Sequence, residues 1–456
     1  MKKTIRLLIY ALIVMSVLLG AAGCAPAATT TAPQETAAPQ ETTAPAEEQK
    51  LTFWVNARDS FIGPNEQQLP QDQWYISQAI KRFEAANPGV TIELVPQADA
   101  YGAHTLFRTA ALAGNAPDVA NLWAGTFTFP LADVLTPLND LIPQEDKDNI
   151  SGFLTDTIDF KEGNPILGYP TPDNQVVTFI YNKKIIEEVG LDWEANPPRT
   201  METFYADLEK IKNAGYVPIG ADETLDGYAY YFWQIIVYWW VQQNGIDPIL
   251  AEDRGEAKYA DDQALLTALR AYNDLWEKGY MNQDADTSSD SWSKFMQGKI
   301  AMMPRVNSFI TDAQNALGEE NVGVIMPPDI SADAKIKGGT IGGPGQDLVV
   351  ALNSKYPETA VKFASFLNSK AEVLELNKFQ TKVPVRLDVT PEELGFEPGS
   401  IGAKLVEFSK NYIFWVDNSL SSEVVAEFNP NLPLVLTGKT TPEELAARLD
   451  EVKVQP

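Results

Sequence analysis

Only one cysteine, Cys24, and one histidine, His104, occur in 456 residues. A lone cysteine excludes disulfides within the chain, so a folded body must be held by packing. A lone histidine removes most histidine-based acid–base catalysis and leaves too few ligands for a zinc or copper centre. Positive charge is also scarce: 35 Lys and Arg stand against 62 Asp and Glu, a net charge of −27. That balance argues against nucleic acid or an anionic membrane surface as a partner. It does not make the ligand cationic, because local pocket chemistry decides what binds. Beyond residue 20 no apolar run is long enough to span a bilayer. Residues 25–50 contain no aromatic or large aliphatic side chain at all.

What is present begins with Lys2, Lys3 and Arg6, a mostly apolar run from Leu7 to Gly20, and Ala21-Ala22-Gly23 before Cys24. A basic start, a short apolar run and small residues have the layout of an export signal. The stretch resembles a bacterial lipoprotein signal, although Ala21 stands where Leu is commoner. That resemblance implies cleavage after residue 23, acylation of Cys24 and retention on the outer face of the cytoplasmic membrane. An ordinary export signal with an incidental cysteine is the alternative. Residues 24–50 then read as a disordered Ala/Thr/Pro/Glu tether, with Ala-Pro-Gln-Glu-Thr at 32–36 and again at 38–42. Such a segment has no apolar surface to offset the entropy of ordering, and its prolines favour an extended chain.

The remaining length predicts two lobes and a substantial core. Leu51–Asn56 reads as a strand, and Ile76, Ile80 and Phe83 mark one helix face stopped at Asn87-Pro88-Gly89. Val90–Val95 is a second strand. Leu106, Ala110 and Ala113 mark a helix ending at Gly114, and Asp118–Trp123 is a third strand. Strand–helix–strand–helix–strand with short connections specifies a mainly parallel sheet flanked by helices, with ligands bound beyond the strands' carboxyl ends. Those ends are Asn56–Asp59 and Trp123–Thr126. A further strand spans Gln175–Tyr181. Helices follow on Met201, Phe204, Leu208 and Ile211, on the aromatic stretch Tyr228–Gln243, and on Leu265, Leu269, Tyr272 and Trp276. Strands return at Lys299–Met303, Val322–Met326 and Asp347–Leu352. Helices close the chain around Ala360, Phe363 and Leu367 and after the capping box Thr441-Pro-Glu-Glu444.

Several strings now resemble one family. They are Phe83-Glu-Ala-Ala-Asn-Pro-Gly-Val-Thr-Ile-Glu, Ala113-Gly-Asn-Ala-Pro-Asp-Val, Tyr181-Asn-Lys-Lys-Ile, Pro198-Arg-Thr-Met-Glu-Thr-Phe, Phe295-Met-Gln-Gly-Lys-Ile-Ala-Met-Met and Pro357-Glu-Thr-Ala-Val-Lys-Phe-Ala-Ser-Phe-Leu. Each is weak alone, but together they span most of residues 51–450 in order. They are similar to the extracellular solute-binding proteins of ABC importers, in the sugar-binding group that includes maltose-binding protein. The resemblance implies an α/β, two-lobed periplasmic-binding-protein fold (type II) with a hinge of crossing strands at Tyr169–Val177. It implies residues 51–170 and 322–370 in lobe 1, and 171–321 and 371–456 in lobe 2. It further implies a monomer without cofactor or catalysis, serving membrane permease subunits.

Sugar recognition needs flat aromatic faces and planar polar groups, and ten Trp, sixteen Tyr and twenty Phe supply the first. From the resemblance, Trp123, Gly125 and Thr126 stand where the family meets its ligand, and Tyr231 near a helix start is favoured for the cleft. Trp233 lies on a helical stripe that suits core or cleft, and Trp415 suits stacking or core. Asn56, Arg58 and Asp59 follow the first strand, where the family supplies ligand hydrogen bonds, although basic then acidic here reverses the family's order. Asp173 and Asn174 fit an acidic ligand contact or a hinge turn. Arg305 offers a planar fork for hydroxyls or a carboxylate, with a surface ion pair as the alternative. Gly338–Gly345 lacks the Lys-Ser/Thr ending of a phosphate loop. A close backbone approach to the ligand, with Gln346 and Asp347 pointing into the cleft, is the functional alternative. Asp284, Asp286 and Asp290 fail the spacing of a calcium loop. Two rivals stand beside a sugar receptor. One is a secreted glycan-cleaving enzyme using paired carboxylates. The other is a same-fold receptor for peptide, amino acid, phosphate-bearing solute or ferric iron, the last suggested by Tyr230-Tyr231.

Overall fold

Alternating burial of Leu51, Phe53 and Val55 fixes which side of β1 (Gln49–Asn56) faces the core. The computed structural model describes residues 48–452, apart from 57–60, 64–65, 99–101, 156–164, 225–228 and 380–381. The expected signal and nearly all of the tether lie outside them. Gln49 and Lys50, expected in the tether, pair with Val90 and Thr91 and so begin the first sheet.

That sheet continues with β2 (Val90–Gln97) and β3 (Val119–Trp123), both parallel to β1. Helices Tyr75–Ala86 and Gly102–Leu112 are their crossovers, which parallel neighbours require. In the second helix the buried face is Ala103, His104 and Phe107, whereas Leu106 from the expected stripe is exposed. Next come β4 (Leu154–Thr155) and β5 (Ile166–Pro170), then β6 (Asp173–Asn182), β7 (Val217–Ile219) and β8 (Ile300–Val306). The chain continues through β9 (Val322–Ile325), β10 (Thr340–Gly343), β11 (Gln346–Val350), β12 (Val383–Pro384) and β13 (Tyr412–Phe414).

The first sheet has the order β2-β1-β3-β11-β5-β4, and the second β13-β10-β6-β8-β7, with β9 and β12 also paired to β6. This is the expected two-sheet α/β architecture. Pairing is mixed within each sheet. β1–β2, β1–β3, β7–β8 and β10–β13 are parallel, while β11 and β6 run antiparallel to their neighbours. The physical reason is that β6 and β11 carry the chain straight across from the other sheet, with no helical crossover to restore direction. Only Thr171-Pro172 separate β5 from β6, and only Pro344-Gly345 separate β10 from β11. The two crossings touch, because Thr171 N donates to the Gln346 carbonyl at 3.1 Å.

The boundaries therefore fall elsewhere than expected. β9, expected where lobe 1 resumes, pairs Val324 with Ile180 and Ile325 with Phe179 of the second sheet. The return to the first sheet comes at Gln346 rather than Val322. The second handover also lies beyond Ala371. Leu376 belongs to the first-sheet core, and Arg82 pairs with Glu372 at 2.6 Å, so helix Lys370–Phe379 still belongs to lobe 1.

The second lobe is built around helix Ala229–Asn244, whose residues 231–242 are all buried. A helix apolar on every side must be surrounded. Helices Met201–Asn213, Gln263–Glu277, Ser422–Leu436 and Pro442–Val452 contribute to the same core. Both of its buried amides donate: Gln234 Nε2 to Asp417 Oδ1 at 3.2 Å, and Gln242 Nε2 to Asp329 Oδ1 at 2.6 Å, while Gln242 Oε1 also accepts from Ile330 N at 2.9 Å. The capping box read at Thr441 and Glu444 is present in both directions.

Candidate functional site

Asn56 ends β1 and Trp123 ends β3, so both stand at the carboxyl edge of the first sheet. Asn56 is buried. Arg58 and Asp59 lie outside the described residues. Trp123 is held from behind, because its N–H donates to His104 Nε2 at 3.0 Å. His104 Nε2 is thus an acceptor, and the lone histidine works as a backbone anchor. The Thr128 hydroxyl donates to the Trp123 carbonyl. The indole is half-buried and meets Phe127 edge to face, at 5.1 Å between centroids and 75° between planes. Phe127 is 43% exposed. Together the two rings form an L-shaped apolar corner. Phe127 was missed by sequence reasoning, since its place at the end of a one-turn helix, Gly125–Phe127, has no periodic signature. Thr126 lies within that turn. Gly125 opens it at φ 64°, a conformation that suits glycine.

Across from this corner, the second lobe presents the turn Val416–Ser419, and a Cβ at Gly125 would lie 2.0 Å from Asn418 Cγ. Asp417 and Asn418 were likewise missed. The expected residue nearby, Trp415, is buried and contributes to the second-lobe core beneath the turn. Trp233 is 1% exposed and packs on Phe428 at 5.8 Å, so it too belongs to the core rather than the cleft.

Arg305 is neither a surface ion pair nor an open fork. Its Nη2 donates to Asp222 Oδ2 at 3.0 Å, and both side chains are 1% exposed. Its guanidinium lies 5.2 Å from the Tyr231 ring centroid, 5.4 Å from Trp292 and 5.6 Å from Phe309. Tyr231 thereby serves as one wall of a box around the cation. Asp222 Oδ1 accepts from Ser291 N at 2.9 Å. Its neighbour Glu223 is wholly buried and accepts from the Tyr272 hydroxyl at 2.6 Å. Burial pushes the Glu223 carboxyl up to about 8.

The hinge absorbs the other expected contacts. Asp173 Oδ2 accepts from Lys382 Nζ at 3.1 Å and from Gln175 Nε2 at 3.2 Å. Asn174 Nδ2 donates to the Pro384 carbonyl at 3.0 Å. These contacts, with the pairing of Val383 and Pro384 on Asn174 and Asp173, tie β6 to β12. Gln346 is buried, and its carbonyl accepts from Thr171. Asp347 does not point into the cleft. It lies between Leu122 and Pro170 in register and is turned toward Gly168, where a Cβ would lie 2.7 Å from its Cβ and Cγ. Neither oxygen meets a hydrogen-bond donor among the described residues, and burial raises its pKa well above the carboxylate range. Asp347 is a buried core group.

The family model for bacterial extracellular solute-binding protein matches residues 68–373, more than half of the chain. The chain belongs to that family. Several solved structures share the fold of this solute-binding protein at low identity. A chitin oligosaccharide binding protein is 22% identical over 89% of this chain and 98% of its own, with a TM-score of 0.69. The GacH receptor of Streptomyces glaucescens, solved with acarbose, is 19% identical over 90% and 100%, with a TM-score of 0.67. A probable secreted solute-binding lipoprotein of Streptomyces coelicolor is 15% identical over 89% and 99%, with a TM-score of 0.70. No curated protein matches the chain. Among the described residues of this solute-binding protein, no helix is long and apolar enough to cross a membrane.

Proposed function

We propose that this protein is a membrane-tethered receptor that captures a mono- or oligosaccharide between its lobes and delivers it to an ABC permease. The observation that carries the reading is the corner of Trp123 and Phe127 at the carboxyl edge of the first sheet. Its rings meet at 75°, one half-buried and one 43% exposed. A sugar ring has an apolar C–H face, which stacks on an exposed aromatic plane and leaves its hydroxyls for amides and backbone. Asn418 and Asp417, across from Gly125, offer such groups. Binding makes and breaks no bond; its energy holds one lobe closed on the other. The ligands of two of the similar proteins, chitin oligosaccharide and acarbose, support the same solute class.

The tether belongs to this proposal. Residues 1–23 would direct export, Cys24 would carry the lipid, and the stretch before Gln49 would let a monomeric body reach its permease. A thermal-shift screen against mono- and oligosaccharides, amino acids and peptides tests the solute class. A carbohydrate at a hundred times its Kd should stabilise the protein by about 2.7 kcal/mol. Stabilisation by an amino acid or peptide alone would assign a different solute to the same fold.

A further inference from the structure

Two short turns, one from each lobe, meet at Gly125 and Asn418. An ideal Cβ on Gly125 would lie 2.0, 2.1 and 2.3 Å from Asn418 Cγ, Oδ1 and Cβ. Such separations are far below any van der Waals contact, so a side chain at 125 could not coexist with this approach. Each turn is fixed within its own lobe. On the first, Thr128 N donates to the Gly125 carbonyl at 2.8 Å and Ala124 N to the Gly345 carbonyl at 3.2 Å. On the second, Asn418 N donates to the Trp415 carbonyl at 3.0 Å, and Gln234 Nε2 holds Asp417 at 3.2 Å. Val416 and Leu420, on either side, are sealed into the second-lobe core. Neither turn can yield far without disturbing the lobe beneath it.

We infer that Asn418 is a positioning residue whose seat against Gly125 forms the closing contact of the cleft. This rests on the reading of the protein as a two-lobed trap, but not on the identity of its solute. The contact exists only when the lobes are together, so its fit sets the ratio of closed to open forms and hence how long a solute stays bound. A methyl at 125 is a wedge between the lobes. Its φ of 64° adds a separate cost, which is local to the turn and equal in closed and open forms.

Spin-label distances test the contact without any solute. The parent is the full chain with Cys24→Ser, Leu112→Cys (68% exposed, first lobe) and Thr267→Cys (exposed, second-lobe helix Gln263–Glu277). The parent should populate a short interlobe distance. Gly125→Ala should lower that population at least about ten-fold, as overpacking of a fixed contact does. Gly125→Ala with Asn418→Gly should recover the short distance, because the methyl then occupies the space of the carboxamide. Both variants should lose thermal stability alike through the backbone cost, which separates folding from closure. A parent without the short distance, a Gly125→Ala variant that keeps it, or a double variant that stays open would each overturn the inference. Failure of the carbohydrate reading would leave these distances untouched and appear only in solute binding.

Discussion

Arg305 Nη2 sits 3.0 Å from Asp222 Oδ2 in the second lobe, with both side chains 1% exposed. Tyr231, Trp292 and Phe309 surround the guanidinium, so the ion pair is closed off by rings. Removing one partner leaves the other charge buried and uncompensated. Arg305→Met should therefore destabilise the protein by about 3–5 kcal/mol in urea unfolding. Arg305→Met with Asp222→Asn should recover a large part of that loss. Full stability of the single variant would mean that the pair is not buried in solution.

Glu223 lies next to this pair, and its folded pKa of about 8 stands above the ordinary value of 4.5. The folded state therefore holds this proton more tightly than the unfolded chain. The associated stability is fully present below about pH 4.5 and is lost as pH rises through about 8. Glu223→Gln keeps an acceptor for Tyr272 and cannot ionise. Its melting temperature should exceed that of the parent by a margin that widens from about pH 5 to about pH 9. A margin that does not change with pH would contradict a neutral buried Glu223.

The aromatic side chains considered for the ligand divide by burial. Phe127→Ala removes half of the exposed corner and should weaken carbohydrate binding about ten-fold, equivalent to about 1.4 kcal/mol, with little change in melting. Trp233→Ala opens a cavity in the second-lobe core and should cost about 3–5 kcal/mol of stability. Calorimetry and denaturant titration on the two variants separate these roles. The reverse pattern would exchange them.

Cys24→Ser should release the protein from cells into the medium while leaving solute affinity at the parent value. Fractionation and calorimetry together check this. Retention of the variant on the membrane would show that the lipid on Cys24 is not the anchor.

Much of the fold was legible because the relevant signals are local. The period of Ile76, Ile80 and Phe83, the stop at Asn87-Pro88-Gly89 and the box at Thr441 and Glu444 each act within a few residues. Sheet membership is not local. Val322–Ile325 has the same apolar composition wherever it pairs, and only its register on Ile180 and Phe179 assigns it to the second lobe. Trp123 was singled out because it ends a strand, and ligands at such sheets bind beyond the strands' carboxyl ends. Phe127 and Asn418 were not, since each lies in a one-turn element without a periodic signature, and Asn418 meets Gly125 only through the fold. Asp347 misled for the opposite reason. An acidic residue at a glycine-rich crossing suggests a ligand contact, but Gly168 leaves room for it to turn inward. Trp233 and Trp415 show that aromatic abundance near a cleft does not separate the wall from the core behind it.

The central claim is that the Trp123–Phe127 corner holds a carbohydrate. Isothermal titration of the parent and of Trp123→Ala against mono- and oligosaccharides tests it most directly. The parent should show saturable one-to-one binding to at least one carbohydrate. Trp123→Ala should lose affinity ten-fold or more, equivalent to about 1.4 kcal/mol or more. Binding of equal strength in both proteins, or binding only to a non-carbohydrate solute, would contradict it.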